Sequence, residues 1–452
     1  MRAMLALALP VMAEELANLL VGYTDWYLAG RFLTGDAPKA AMSVVAYSLW
    51  LLPTIFAAVA IGSQAIVARL VGSGDRAAAS HAANQSLLLG GVLASIGTIA
   101  VWLGAGAFVR LMQLQDKPAE LAEQYLRIMA LVVPLIMLEQ VAAACLRGAG
   151  DSWTGFVAKS MVNVLNIIFS AGLVTGWGPF PQLGWQGLAI GTAIGHGGGG
   201  LILAFMLLRG RAGLRLRSAE LRPNPDLLRR IVRIGLPGGL DQIGVLCCHL
   251  VYASIINRLG TQATAAHGMG IQIEALSFLP GSAFMVSAAT LAGQSLGAAN
   301  PRAATRGIVH SWMAAASIMG IAGVIFYFFG ERLAEFFNGG QANDVTRLVA
   351  ELLKIIAYGT VFHGTLMVFT GGLRGAGDTR LPLLITFLGL CCVRLPLAAF
   401  LSWSEVPLGP VVLPGMGWGV QGAWIAMVSD IIVRALLVVM RFLHGGWRHI
   451  AV

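Results

Sequence analysis

A stripe of three polar side chains runs through a largely apolar stretch. Glu14, Asn18 and Asp25 lie within MAEELANLLVGYTDWYLAG. Eleven residues separate the first from the last, about three helical turns, so all three fall on one stripe of a helix. A carboxylate at the centre of a membrane helix costs roughly 2.5–3.5 kcal/mol on insertion scales, so Asp25 needs a polar cavity or a partner. A group held in that way can take up and release a proton or hold a small cation. Asp25 is the leading candidate for this chemistry. Glu14 stands equally well as an interface residue.

A second polar face comes from Asn163, Asn166 and Ser170, at i, i+3 and i+7. Amides at membrane depth can hold a protonated carboxyl or solvate a cation, and they can equally bind helix to helix. The functional reading is favoured because Asp25 needs a partner. Among the remaining intramembrane groups Glu274 is the foremost acid, ahead of Glu139 beside Gln140. His196, His249 and His363 are isolated and read as hydrogen-bonded packing residues. Arg394 in VRLP is expected to pair with a carboxylate or with helix-end carbonyls. Asp430 and Arg434, at i and i+4, are expected to neutralise each other. Cys145 and the pairs Cys247–Cys248 and Cys391–Cys392 have no metal-ligand spacing and read as small apolar packing residues.

The elements that must position these groups are membrane helices. Of 452 residues 57% are hydrophobic and 11% charged, against about 25% charged in soluble domains. Twelve apolar stretches are long enough to cross about 30 Å of hydrocarbon; they lie near 5–30, 41–70, 84–112, 121–146, 154–177, 184–208, 229–257, 263–295, 305–330, 348–373, 381–403 and 416–443. The net charge of +9 could suggest nucleic-acid binding, but its distribution does not. Lys and Arg concentrate on the side that holds both termini, with eight Arg in 209–233 alone. That is the positive-inside bias, and it places both termini in the cytoplasm of a multi-pass protein of the cell's inner (plasma) membrane. The first apolar stretch continues to Gly30, too far for a cleavable signal, and is read as a retained span.

The chain is also duplicated. LRGAGD occurs at 146–151 and again at 373–378, a separation of 227 residues. The same separation relates LALP (7–10) to IGLP (234–237), Pro53 to Pro280 and Arg31 to Arg258. An even number of spans per half makes the repeats parallel, about an axis along the membrane normal. The expected organisation is therefore an amino-terminal six-helix lobe at 1–208, a cytoplasmic linker at 209–228 and a carboxy-terminal six-helix lobe at 229–452. Shifting the first stripe by 227 gives Asp241, Val245 and Tyr252, so the amino-terminal lobe keeps the titratable centre. The run Gly197–Gly200 reads as close helix approach, and Pro53, Pro134, Pro280 and Pro396 as kinks. The Pro/Gly-rich connections 176–186 and 404–416 read as matching non-cytoplasmic turns.

Several segments carry a family resemblance: DWYLAGR (25–31), GSQAIVARLVGSGD (62–75), LRGAGDSW, IEALSFLPGSAF (273–284), AGQSLGAANP (292–301) and LRGAGDTR. Together they resemble the multidrug and toxic compound extrusion family, within the superfamily that includes lipid-linked oligosaccharide flippases. The resemblance spans nearly the whole chain. It implies an all-α membrane protein with two parallel-repeat six-helix lobes around a central cleft. It also implies alternating-access export of small organic, often cationic compounds against inward flow of H⁺ or Na⁺. The first-helix coupling carboxylate of the family falls on Asp25. Two positions depart from the family. Proton-coupled relatives commonly carry Asp where this chain has Ser170, and some sodium-coupled relatives carry Glu where it has Val245. The expected coupling set is Asp25, Glu14, Asn18, Asn163, Asn166 and Ser170, with Asp241, Glu274 and Arg394 secondary. H⁺ is favoured over Na⁺. No other cofactor, no metal and no nucleic-acid partner is expected, and the protein is expected to work as a monomer in the bilayer.

The alternative within transport is a flippase for a lipid-linked or amphipathic substrate. It needs basic residues to meet a pyrophosphate, and Arg394 is the main one on offer. An enzyme is disfavoured by the absence of HExxH, GxSxG or a well-spaced Asp pair.

Overall fold

A computed structural model describes residues 1–408 and 411–450, without the side chains of Tyr47, Ser48, Trp50, Leu51, Leu52, Pro53, Leu408 and Val411. The kink expected of Pro53 therefore falls outside the described side chains.

Apolar composition and length produce helices throughout. The first half contains α1 (Arg2–Phe32), α2 (Ala37–Gly72) and α3 (Arg76–Leu111), then α4 (Asp116–Ala130), α5 (Val133–Gly148), α6 (Trp153–Thr175) and α7 (Trp185–Leu208). The second contains α8 (Pro225–Asn257), α9 (Thr261–Gly297), α10 (Pro301–Phe337), α11 (Asp344–Ala357) and α12 (Thr360–Gly375). It ends with α13 (Arg380–Phe387), α14 (Leu395–Ser402) and α15 (Gly419–His444), a π turn at Leu388–Arg394 joining α13 to α14. Among the described residues ten helices are long and apolar enough to span, and up to twelve spans result if each bent pair counts as one.

The bent pairs modify two of the expected spans. α4 meets α5 at 57°, and α11 meets α12 at 53°. Pro134 in the first turn of α5 cannot donate to the preceding turn, which breaks the ladder there. The second break falls at Tyr358–Gly359, where glycine rather than proline weakens the helix. The segment 404–416, read as a turn, contains a short hairpin. Strands β1 (Glu405–Leu408) and β2 (Val411–Pro414) pair antiparallel, Val406 opposite Leu413.

The chain forms two compact units, and the division falls inside α8. The first comprises Ala6–Gly239 with Gly297–Ala299; the second comprises Leu240–Leu296 and Asn300–Ala451 with Met1–Leu5. The core of the first gathers Phe56, Val59, Ile66, Met137, Leu146 and Leu203, together with Ile231 and Ile234 from the start of α8. The core of the second gathers Tyr252, Ile256, Phe326, Leu353 and Trp424. The polar linker is fastened to α3. Ser80 Oγ and Asn84 Nδ2 donate to the Arg215 carbonyl at 3.0 and 2.8 Å, and Gln85 Nε2 donates to those of Glu220 and Arg222 at 2.7 and 2.8 Å.

α6 and α7 approach most closely along a stripe of small residues. Gly187, Gly191, Gly195 and Gly199 recur every fourth residue of α7 and face α6. A methyl group at Gly191 would overlap the Ser170 backbone, and one at Gly195 would lie 2.8 Å from the Val162 carbonyl oxygen. This is the small-xxx-small packing that lets membrane helices touch backbone to backbone.

Candidate functional site

That close approach builds a polar pocket inside the first unit. Asp25 on α1 is 1% exposed, and three donors from three other helices converge on its carboxylate. Thr192 Oγ1 on α7 donates to Oδ2 at 2.8 Å, Tyr125 Oη on α4 donates to Oδ2 at 3.2 Å, and Asn166 Nδ2 on α6 donates to Oδ1 at 3.2 Å. Asn166 Nδ2 also lies 3.2 Å from Ser170 Oγ and 3.0 Å from Thr192 Oγ1. Among the described residues no lysine or arginine pairs with Asp25. The buried carboxylate is held by neutral donors alone, so its negative charge is not cancelled.

The pocket can also serve the neutral acid. Asn166 Oδ1 is buried and has no hydrogen-bond partner. It lies on the amide whose nitrogen already meets Asp25, so a half-turn of that amide would present an acceptor to a protonated carboxyl. The same oxygens could surround a small cation only if the hydroxyl and amide hydrogens now aimed at Asp25 turned away.

The other members of the stripe lie apart from this pocket. Asn18 is exposed, its Nδ2 3.3 Å from Glu15 Oε2. Glu14 accepts from Arg147 Nη1 at 3.0 and 3.3 Å. Asn163 donates to the carbonyls of Ala17 and Lys159 at 2.9 and 3.0 Å, tying α6 to α1 one turn from the pocket. Ser170 joins the pocket through Asn166. Glu139 pairs with Lys159 and accepts His196 Nδ1 at 2.9 Å, so His196 is not isolated. Tyr125 and Thr192 are absent from the expected set: Thr192 is a lone hydroxyl among small and apolar residues, and Tyr125 lies among the charged residues of amphipathic α4.

The repeat explains where Glu14 and Asp241 belong. In the second unit Arg374 pairs with buried Asp241, as Arg147 pairs with Glu14 in the first. Arginine and acid are both displaced by 227 residues. Each pair joins the first helix of its half to a GAGD turn. The aspartates of those turns also have matching partners: Arg211 Nε meets Asp151 Oδ2 at 2.6 Å, and Arg441 Nε meets Asp378 Oδ2 at 2.8 Å. Asp151 lies outside the spans. Burial raises its pKa, but hydrogen bonds from Thr154 and Arg211 outweigh burial and hold it below the ordinary aspartate value.

The secondary candidates fall in the second unit. Glu274 is buried, with His363 Nδ1 at 3.9 Å. Arg394 does find a carboxylate, Asp430, with Nε to Oδ2 at 2.9 Å, and Arg434 binds the same Asp430. Among the described residues no group of His, Cys, Asp and Glu could hold a metal ion.

Comparison with known proteins agrees with this architecture. A family profile described as MatE matches residues 10–171 and 237–400, well over half the chain and both repeats. The probable multidrug resistance protein NorM of Thermotoga maritima is 28% identical over 455 residues, covering 100% of this chain and 94% of that protein. An outward-facing multidrug resistance MATE family transporter of the MOP superfamily superposes with a TM-score of 0.88 at 20% identity, covering 99% of this chain and 96% of its own. A MATE in the bent conformation gives 0.88 at 20% identity, with 98% and 95% coverage. A MOP superfamily transporter from Pyrococcus furiosus gives 0.88 at 20% identity, with 99% and 96% coverage. At that identity the superpositions establish the fold.

Proposed function

The chain belongs to the MatE family, and from that premise we propose that it exports small organic cations in exchange for protons, with Asp25 as the proton-exchanging group. Members of the family are membrane transporters and not enzymes. The observation that carries the reading is the pocket: a buried carboxylate held by Thr192, Tyr125 and Asn166, with no basic partner among the described residues.

A carboxylate in that position has two stable arrangements. Ionised, it takes three hydrogen bonds and attracts positive charge. Protonated, it no longer attracts a cation, and the Asn166 oxygen, after a half-turn of its amide, can accept a hydrogen bond from the carboxyl. Protonation from outside loosens the grip on a bound organic cation, and deprotonation toward the cytoplasm restores it, which is the alternation an exporter needs. Exchange of one H⁺ for one monovalent cation moves no net charge, so the pH gradient does the work. Exchange for a neutral compound would also draw on the membrane potential, about 2.3 kcal/mol per 100 mV. H⁺ is favoured over Na⁺ because the donors around Asp25 aim their hydrogens at the space a metal ion would occupy. The positive-inside distribution supports a plasma-membrane protein with both termini in the cytoplasm.

The test is dye efflux from reconstituted vesicles under a pH gradient or a Na⁺ gradient, comparing the native protein with Asp25→Asn. The expected result is efflux driven by the pH gradient and lost in the variant. Efflux driven by Na⁺ alone, or normal proton-driven efflux in Asp25→Asn, would overturn the assignment.

A further inference from the structure

The interior of the second unit gathers two arginines around one buried carboxylate. Asp430 is fully buried, and two guanidinium groups close on it. Arg394 Nε meets Oδ2 at 2.9 Å; Arg434 Nε meets Oδ1 at 2.8 Å, and its Nη2 meets Oδ2 at 2.6 Å. Within this trio two cations face one carboxylate. Glu274 is a nearby acid in electrostatic contact with Arg394; among the described residues it makes no ion pair with either arginine, and its Oε1 lies 3.9 Å from His363 Nδ1. On the remaining side Arg394 Nη1 lies 3.3 Å from His249 Nε2.

A second, independent observation points to the same place. Tyr252 is 3% exposed, and its hydroxyl has no hydrogen-bond partner. The Arg394 guanidinium lies over its ring, Cζ 5.7 Å from the centroid. His267 also packs edge-on against this ring, at 5.6 Å, and is itself held by Trp424 Nε1 at 3.2 Å. Here, then, are a buried unused donor and two guanidinium groups that share one carboxylate, within one cluster.

The backbone explains how they come together. Arg394 closes the π turn at Leu388–Arg394, and a π turn inserts one residue into a helix and redirects the side chains that follow. At the repeat separation of 227 residues the counterpart of Asn166 is Val393, so Arg394 stands one residue beyond it. Tyr252 stands in the place of Asp25. Gly389 in the same turn leaves room for the pair beneath it, since a methyl group there would overlap Asp430 Oδ1 and the Arg434 stem. The second unit thus has a counterpart of the Asp25 pocket in which donors replace the acceptor.

We propose that Arg394, Arg434 and the Tyr252 hydroxyl form a receptor for a single carboxylate group. Guanidinium groups match a planar two-oxygen anion in charge and geometry, and a phenol supplies one further hydrogen bond. His249 is exposed, and it marks the side from which the group enters. The carboxylate comes either from a transported compound or from a free organic acid. In the first case the substrate class narrows to organic cations that also bear a carboxylate, an extension that rests on the exporter reading.

The experiment is equilibrium binding to the purified chain in detergent, which needs no transport. Two xanthene dyes are compared that differ only in bearing a free carboxylate or its methyl ester, alongside calorimetric titration with benzoate. The expected result is a preference for the acid dye of about tenfold or more, the order expected for hydrogen bonds to a charged group. Arg394→Gln keeps the Arg434–Asp430 pair and should bring the acid-to-ester ratio close to one. Tyr252→Phe keeps the ring and should lower that ratio severalfold; if Arg394→Gln does not fold, this second variant is the deciding one. Benzoate binding that displaces the acid dye supports a receptor open to free acids. Acid-dye preference without benzoate binding supports one reserved for substrate. Equal affinity for both dyes with no benzoate binding overturns the proposal, as does an acid preference untouched by either substitution. Benzoate binding in a protein that shows no proton-driven export would sink the exporter reading and leave this one standing.

Discussion

Arg147 reaches Glu14 in the first unit and Arg374 reaches Asp241 in the second, each residue displaced by the same 227 positions. A few turns further into each unit the likeness ends. Asp25 is answered by Tyr252, and two of the four α7 glycines are answered by charge. The motif WQG at 185–187 corresponds to VQG at 420–422, and in that register Gly187, Gly191, Gly195 and Gly199 meet Gly422, Ala426, Asp430 and Arg434. Where the first unit brings two backbones together over neutral donors, the second inserts an ion cluster. The difference teaches which constraints survive duplication. A buried ion pair at a turn fails if either partner changes alone, so both copies keep it. An interior polar site can change its chemistry if its whole neighbourhood changes with it.

The largest expected effect breaks the comparison at the interiors. Asp430→Asn strands two buried guanidinium groups and is expected to cost about 3–5 kcal/mol, the usual consequence of removing one partner from a buried ion pair. Asp25→Asn strands no cation and should unfold at the native temperature or above it. Thermal unfolding in detergent measures both, and equal losses would show that the interiors do not differ as described. The fastenings should instead respond alike. Glu14→Ala and Asp241→Ala are each expected to cost about 3 kcal/mol, the second more because its side chains are 10% and 6% exposed against 14% and 12%. Restoring part of that loss with Arg147→Ala in the Glu14→Ala background would confirm the pairing, and simple additivity would refute it.

A smaller effect is expected at the helix contact. Gly191→Ala forces α6 from α7 at Ser170 and should cost about 1–3 kcal/mol through overpacking. It should also weaken proton-driven efflux, because Asn166 and Thr192 lie on the two helices being separated; native-like efflux would argue that the contact does not support the pocket. The smallest effect concerns Asp151. Its folded pKa lies below the unfolded value of about 3.9. Its stabilisation is therefore complete above that value and fades as pH falls through the lower folded one. A melting series from pH 5 to 3 should show a modest acid loss in the native protein that is reduced in Asp151→Asn. Identical slopes would remove Asp151 from the account.

Much of this organisation is legible in the sequence because hydrocarbon tolerates few exceptions. Asp25 and Asn166 stand out as groups that lipid would not solvate, and the 227-residue period identifies the halves. Arg394 is legible as a residue in need of a carboxylate, although Asp430 lies 36 positions away and no local rule could choose it. Thr192 and Tyr125 are not legible, since a threonine hydroxyl within a helix has an alternative acceptor in the preceding turn, here the Leu188 carbonyl at 3.0 Å, and a tyrosine on amphipathic α4 reads as an interface residue. The glycine run stands out at 197–200, but the working period of four begins at Gly187. The Glu14–Arg147 pair is within reach of the repeat, because both members recur with it. Reading α1 as a stripe assigns Glu14 to Asp25, whereas the pairing depends on a turn 133 residues away.

The boundary between the units has a consequence for how the protein can be divided. The polar linker invites a cut, yet Ile231 and Ile234, encoded beyond it, fill the core of the first unit. A ribosome that has completed residues 1–208 has therefore not yet delivered all the packing that the first six spans require. Separately expressed fragments 1–208 and 229–452 should be poor proteins alone and recover only when made together, the longer fragment supplying the missing plug. The first unit thus depends on the opening turns of the repeat that follows it.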